Sequence, residues 1–197
     1  MTPQRISLVV AIGLVLTTAG LSAMALQGLS GAPSRLGPMR LDMAAGEDLQ
    51  TWRILKASPG PADLVQAERH ARRALQLAPF NNQARLRLAY ISTQRERTFG
   101  PQAQKLLATS YVLVPFDLSV AAFRTRFALE NWAMLLPEDR LAARKEAFAF
   151  HRAGSRTANI RDTLTLVSNP NGRLAAGLWL RSMSAPAPRK AALSHKD

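Results

Sequence analysis

Cysteine is absent from this 197-residue chain, so it can have no disulfide framework, thiol chemistry or cysteine-ligated zinc. A cysteine-free protein needs no oxidative folding, so an oxidising compartment remains open to it. Histidine is nearly absent too. His70, His151 and His195 come without paired ligands, and metal sites need roughly three or four, so each reads as a surface or packing residue and no metal is expected. Also missing are Gly-x-Ser-x-Gly, His-Glu-x-x-His, a phosphate-cradling glycine-rich loop and a dinucleotide fingerprint. A chain without them is expected to be no enzyme and to hold no cofactor. After residue 30 no alternating apolar and polar run with β-branched enrichment occurs, which predicts an all-α chain.

Acidic residues are few, with 13 Asp and Glu against 26 Lys and Arg, a formal net charge of +13. Lysine is scarce beside arginine. A pI near 11.5 favours acidic partners such as nucleic acid, anionic lipid, acidic polysaccharide or an acidic protein. A GC-rich genome also writes arginine for lysine, and both explanations stay open. Glu130, Glu138, Asp139 and Glu146 fall in one region. Their spacing suits ordinary pairs such as Arg126–Glu130 at i,i+4, worth about 0.2–0.5 kcal/mol, better than a glycosidase carboxylate pair.

The N-terminus sets the expected compartment. A short basic stretch ending at Arg5 is followed by an uncharged run from Ile6 to Leu26. About 20 residues suffice to span a hydrocarbon core. The run also contains Ala23-Met24-Ala25, the small-x-small pattern of a signal-peptidase site, so an uncleaved anchor and a cleaved signal both fit. Either exports the rest. With Arg5 ahead of the run and no charge after it until Arg35, an N-inside, C-outside orientation is expected. That implies a single-pass protein of the inner (cytoplasmic) membrane with a periplasmic C-terminal domain. The expected organisation is 1–26 signal-anchor or signal peptide, 27–46 flexible linker, 47–183 helical domain and 184–197 disordered tail.

Within 47–183 the apolar residues recur at helical spacing between proline and glycine punctuation. Leu49, Trp52, Ile54 and Leu55 mark a short first helix, and Asp63 can cap the next, built on Leu64, Ala67, Ala71, Ala74 and Leu75. Pro79 stops it and Asn81 can cap a helix from Asn82 to about Arg97. Pro101 opens the next, with Ala103, Leu106, Leu107, Ser110, Tyr111 and Val114. A long helix is expected over Leu118–Leu136 with Val120, Phe123, Phe127, Met134 and Leu135 inside. Another should run from Pro137 to about Arg152 on Leu141, Ala142, Phe148 and Ala149. Two shorter helices should flank a turn at Asn169-Pro170-Asn171-Gly172.

Pro115-Phe116-Asp117 repeats the punctuation of Pro79-Phe80-Asn81, and a period near 34 with helix pairs belongs to tetratricopeptide repeats. The chain resembles that family over residues 47–117. Ala67, Ala71, Ala74 and Pro79 occupy the second-helix slots, matched by Ala103, Leu107, Ser110 and Pro115 with a small insertion before them. Leu88 and Ala89 fit the leucine-glycine pair, whereas Arg85 stands in the tryptophan slot and Ser92 in the tyrosine slot. The third pair keeps only Ala143 and Ala147. The resemblance implies antiparallel helix pairs stacked as a short solenoid, behind the N-terminal membrane or signal helix. It also implies a groove lined by the first helices, with Gln83, Arg87, Tyr90 and Gln94 from one pair and Ser119, Phe123, Arg126 and Glu130 from the next. The family's peptide-carboxylate clamp has no counterpart among these residues.

Export, a repeat scaffold and a basic face together make the leading expectation a membrane-anchored, extracytoplasmic scaffold of cell-envelope or exopolysaccharide assembly. It would bind an envelope or membrane protein, or an anionic polysaccharide, and hold the membrane through residues 6–26. The alternatives are a basic nucleic-acid-binding protein, disfavoured by export, and an envelope glycan-processing enzyme.

Overall fold

A computed structural model describes residues 43–154 and 159–184. Among them every regular element is helical. They divide into two compact units, the first ending at Val114 and the second beginning at Pro115.

The first unit holds α1 (Ala44–Lys56), α2 (Pro61–Leu77), α3 (Asn82–Glu96) and α4 (Pro101–Leu113). Its helix ends follow local chemistry. Pro61 and Pro101 sit at first helical positions, where the missing N–H costs nothing, each behind an extended glycine, Gly60 or Gly100. Asp63 lies inside α2 rather than before it, and its carboxylate accepts the Gly60 N–H at 3.0 Å. The charge sits well against the positive helix start. Pro79 stops α2, and the Asn81 side chain caps α3 by accepting the Ala84 N–H at 3.0 Å. Arg97 ends α3 in the left-handed region at φ 54°.

Of the eight second-helix slots of the repeat pattern, Pro79 and Pro115 are exposed, and the other six, Ala67, Ala71, Ala74, Ala103, Leu107 and Ser110, are all fully buried. Small side chains there let neighbouring helix backbones approach closely. Leu64, Leu88 and Ile91 join Ala67 and Ala71 in one core, with Ile54, Leu55, Leu75 and Leu106 packed against it. Full burial of each such leucine or isoleucine contributes roughly 1.5–3 kcal/mol. α2 and α4 both pack on α3, while α1 packs mainly on α2. This helix-pair packing is consistent with a helical-repeat, solenoid-like fold.

The second unit holds α5 (Ala121–Glu130), a 3-10 turn (Trp132–Met134), α6 (Pro137–Arg152), α7 (Ile160–Thr165) and α8 (Pro170–Ser184). α6, α7 and α8 all pack on α5, so a small bundle stands where a further stacked pair was expected. The long helix expected over Leu118–Leu136 is shorter at both ends. Asp117 Oδ1 takes the Ser119 N–H at 3.0 Å and its hydroxyl at 2.7 Å, a side-chain turn that competes with helix. At the other end Asn131 Nδ2 donates to the Phe127 carbonyl at 2.8 Å, and Leu136 is extended before Pro137, as a residue preceding proline tends to be.

Several core expectations also change. Phe123, Met134 and Leu141 are exposed, and the buried face of α6 carries Asp139, Ala143, Glu146 and Ala147. The face is turned because Arg124 of α5 and Glu146 pair inside the unit, an arrangement apolar periodicity does not report. Asn169-Pro170-Asn171-Gly172 is a helix start rather than a free turn. Asn169 Oδ1 accepts the N–H of Asn171 at 3.0 Å and of Gly172 at 3.2 Å, and Pro170 opens α8.

The membrane expectation is corrected. Among the described residues no helix is long and apolar enough to cross a membrane. Residues 6–26, on which the transmembrane or signal helix rested, lie outside the described residues, as do most of the expected linker and the tail beyond Ser184. The described fold is thus an all-α packing without the expected N-terminal spanning helix, and the inner-membrane, single-pass, periplasmic placement has no structural element under it.

Candidate functional site

The groove residues expected from the repeat resemblance fall in both units. Gln83, Arg87, Tyr90 and Gln94 share one face of α3 by their i,i+4 and i,i+3 spacing. Gln83 and Gln94 are exposed, while Arg87 and Tyr90 are half-buried. Arg87 is committed to the start of α1: its Nη1 donates to the Asp48 carbonyl at 2.7 Å and pairs with the Asp48 carboxylate. Beside it, His70 Nδ1 of α2 meets Glu47 Oε2 at 2.6 Å. Glu47 and Asp48 of α1 thereby tie it to α2 and α3.

In the second unit Ser119 belongs to the Asp117 turn, and Phe123 is exposed but stacked on Phe127 at 5.7 Å between ring centroids. Arg126 and Glu130 stand 3.7 Å apart, as their i,i+4 spacing leads one to expect. Glu130 also accepts the backbone N–H groups of Ser168 and Asn169 at 2.8 and 2.9 Å. It therefore latches the start of α8 to α5.

Several further titratable groups are buried within the two units. Arg124 and Glu146 are buried together, and burial pushes the Glu146 carboxyl up, opposed by the hydrogen bond and charge of Arg124 and reinforced by Asp117. Asp139, buried at the start of α6, is pushed up by burial and then by Glu138. Arg85 is buried with its Nη2 donating to the Pro79 carbonyl and its Nη1 unpaired, and burial lowers its pKa. His151 Nε2 lies 3.3 Å from the Met183 carbonyl, and His195 lies outside the described residues. Among the described residues no group of His, Asp and Glu is arranged to hold a metal ion.

A cleft missed in the sequence opens in the first unit where α2, α3 and α4 converge. Its volume is about 260 Å³, and Glu68, Leu88, Ser92, Arg95, Glu96 and Gln102 line it. Leu88 and Ser92, nearly buried on the α3 face opposite Gln83 and Arg87, lie at i,i+4 and belong to its floor. Glu68 is held by Arg72, through Nη2 at 2.6 Å and Nε at 3.0 Å, and by Arg95. Glu96 is placed differently. Its Oε1 accepts from Ser92 Oγ at 2.7 Å, and its Oε2 lies where a Cβ on Gly100 would be, 2.1 Å away. Only glycine leaves room for the carboxylate there. The i,i+4 pairs Glu68–Arg72 and Ser92–Glu96 are visible in the sequence; the convergence of three helices on them is not.

Comparison with protein families, with curated proteins and with solved structures returns no match. No relative therefore carries the expected role in cell-envelope or exopolysaccharide assembly, its envelope-protein or anionic-polysaccharide partner, or the nucleic-acid and glycan-enzyme alternatives. Together with the absence of a membrane-crossing helix among the described residues, this removes the membrane-anchored scaffold assignment.

Proposed function

We propose that the chain is a non-catalytic docking module, with the first four helices arranged as tetratricopeptide-like hairpins and the α2–α3–α4 cleft as its recognition point. The observation that carries it is the cleft itself: six side chains from three packed helices surround a space of about 260 Å³. Sites on rigid helices hold their contacts more sharply than sites on loops. The buried alanine, leucine and serine slots of α2 and α4 support the tetratricopeptide-like architecture, although the helix starts Ala44 and Asn82 are spaced more widely than the usual repeat of about 34 residues. The carboxylates support a non-catalytic role. Glu146 is sealed against Arg124, and Glu130 spends both oxygens on backbone amides.

Photo-crosslinking with the full chain tests this reading. A benzophenone amino acid at Gln102 is expected to yield a small, discrete set of protein adducts. Ser92→Trp, which fills the cleft, should remove them, and the same probe at exposed Lys145 should not produce that set. Adducts that persist unchanged in Ser92→Trp, or none from Gln102, overturn it.

A further inference from the structure

The cleft between α2, α3 and α4 differs in charge from the surface around it. The chain carries +13, and the outer side of α2 presents Arg69, Arg72 and Arg73 to solvent. Inside the cleft, two carboxylates face one guanidinium. That guanidinium, on Arg95, is already taken by Glu68, which Arg72 also engages from the rim. Among the described residues Glu96 meets no cation: its contact is the Ser92 hydroxyl, and Gly100 leaves its second oxygen room. The cleft thus offers one carboxylate without a basic partner, beside the Gln102 amide and above the Leu88 side chain.

We propose that the cleft receives a single arginine or lysine side chain from a partner protein, carried within an otherwise acidic segment. The proposal rests on the docking reading and names its chemistry. Size supports it. At about 260 Å³ the space falls below the roughly 300–1,000 Å³ of pockets that enclose whole small molecules, but it admits one long side chain. Leu88 faces the aliphatic stem, as such stems lie along apolar surface while the charged head stays polar. Glu96 and Gln102 take the head, and a carboxylate bonded to a cationic donor makes the stronger class of hydrogen bond. Acidic neighbours in the partner segment answer Arg69, Arg72 and Arg73, which would repel a wholly basic one.

The test uses the full chain and two acetylated, amidated peptides, Asp-Glu-Arg-Glu-Asp and the same peptide with citrulline, arginine's neutral isostere, at the centre. Binding is read by calorimetry and by backbone amide shifts at Ser92, Glu96 and Gln102. The arginine peptide should bind about tenfold or more tightly than the citrulline peptide, since each tenfold is one lost interaction of ordinary strength. Glu96→Gln should bring the arginine peptide down to the citrulline level. Gly100→Ala, which keeps the charge but displaces the carboxylate, should do the same, with helix content by circular dichroism unchanged in both variants. Equal binding of the two peptides, or an arginine preference that survives Glu96→Gln, overturns the proposal. If Gln102 still crosslinks a partner when that preference is absent, docking stands and the basic side chain does not. If both signals are absent, both fall.

Discussion

Arg124 and Glu146 form an ion pair sealed inside the second unit, with side chains 0% and 2% exposed and both carboxylate oxygens taken by the guanidinium fork. Nε donates to Oε2 at 3.0 Å while Nη2 donates to Oε1. The mutual attraction has to offset the loss of water around two charges, so the pair is expected to specify how α5 meets α6 more than to stabilise the contact. Removing one partner strands the other. Arg124→Met or Glu146→Leu alone is expected to cost about 3–5 kcal/mol, whereas the double substitution should return to within about 1 kcal/mol of the parent or exceed it. Urea unfolding of the four proteins measures this. A double variant that stays as destabilised as either single variant would show that the pair is stabilising in its own right, and fully additive losses would show that the two side chains act independently.

Acid dependence should follow Asp139 and Glu146, both pushed up by burial. A carboxyl whose folded pKa exceeds its unfolded value, about 3.9 for aspartate, favours the folded state below that unfolded value. That contribution is lost as pH rises through the folded pKa. Asp139→Asn removes the titration while keeping a similar shape, so its stability relative to the parent should rise as pH increases from the acid side to neutrality. Glu146 is present in both proteins and cancels in the difference. A difference that is flat with pH, or falls, would show that the Asp139 carboxylate is better tolerated than its burial implies.

The latch between α5 and α8 gives a third expectation. Glu130 accepts the Ser168 and Asn169 amides, and Glu130→Ala leaves those donors without their acceptor at about 1–3 kcal/mol. Nearby, a Cβ on Gly172 would lie 2.0 Å from the Leu129 carbonyl oxygen. Backbone cannot swing aside as a side chain can, so Gly172→Ala should cost at least the roughly 1–3 kcal/mol of an overpacked core. Gly100→Ala provides the contrast, because there the obstruction is the flexible end of Glu96 and the expected loss is small. Thermal unfolding of the three variants ranks them. If Gly172→Ala is as mild as Gly100→Ala, the close approach of α8 to α5 is not needed for folding.

What could be read from the sequence depended on how local its cause was. The boundaries of α3 and α4 came through almost residue by residue, because caps and missing N–H groups act within one turn, whereas α2 starts at Pro61, ahead of the expected cap Asp63. Ala67, Ala71, Ala74, Ala103 and Ala147 were legible as close-packing positions and are fully buried. The face of α6 was not. Leu141 attracts an apolar reading while Glu146 repels it, and the pairing with Arg124 that reverses the choice lies 22 residues away. The cleft was hidden for a similar reason. Glu68, Ser92, Glu96 and Gln102 stand on three helices, and each alone reads as an ordinary polar surface residue.

Arg85 offers the sharpest test of the proposed tetratricopeptide-like architecture. The resemblance matches it to the slot where that family carries tryptophan, and it is 6% exposed, with Nη2 on the Pro79 carbonyl and Nη1 unpaired. A buried donor without a partner is a cost that an apolar ring of suitable shape would not bear. If α3 packs as a tetratricopeptide first helix, Arg85→Trp restores the usual occupant. It should raise the urea midpoint by the equivalent of about 0.5–2 kcal/mol, the ordinary range for a consensus substitution. Arg85→Ala removes the aliphatic stem without replacing it and should destabilise. The two variants are thus expected to move in opposite directions from the parent. If Arg85→Trp destabilises as much as Arg85→Ala, the cavity around Arg85 is shaped for a guanidinium, and α1 to α4 form helical hairpins of another kind.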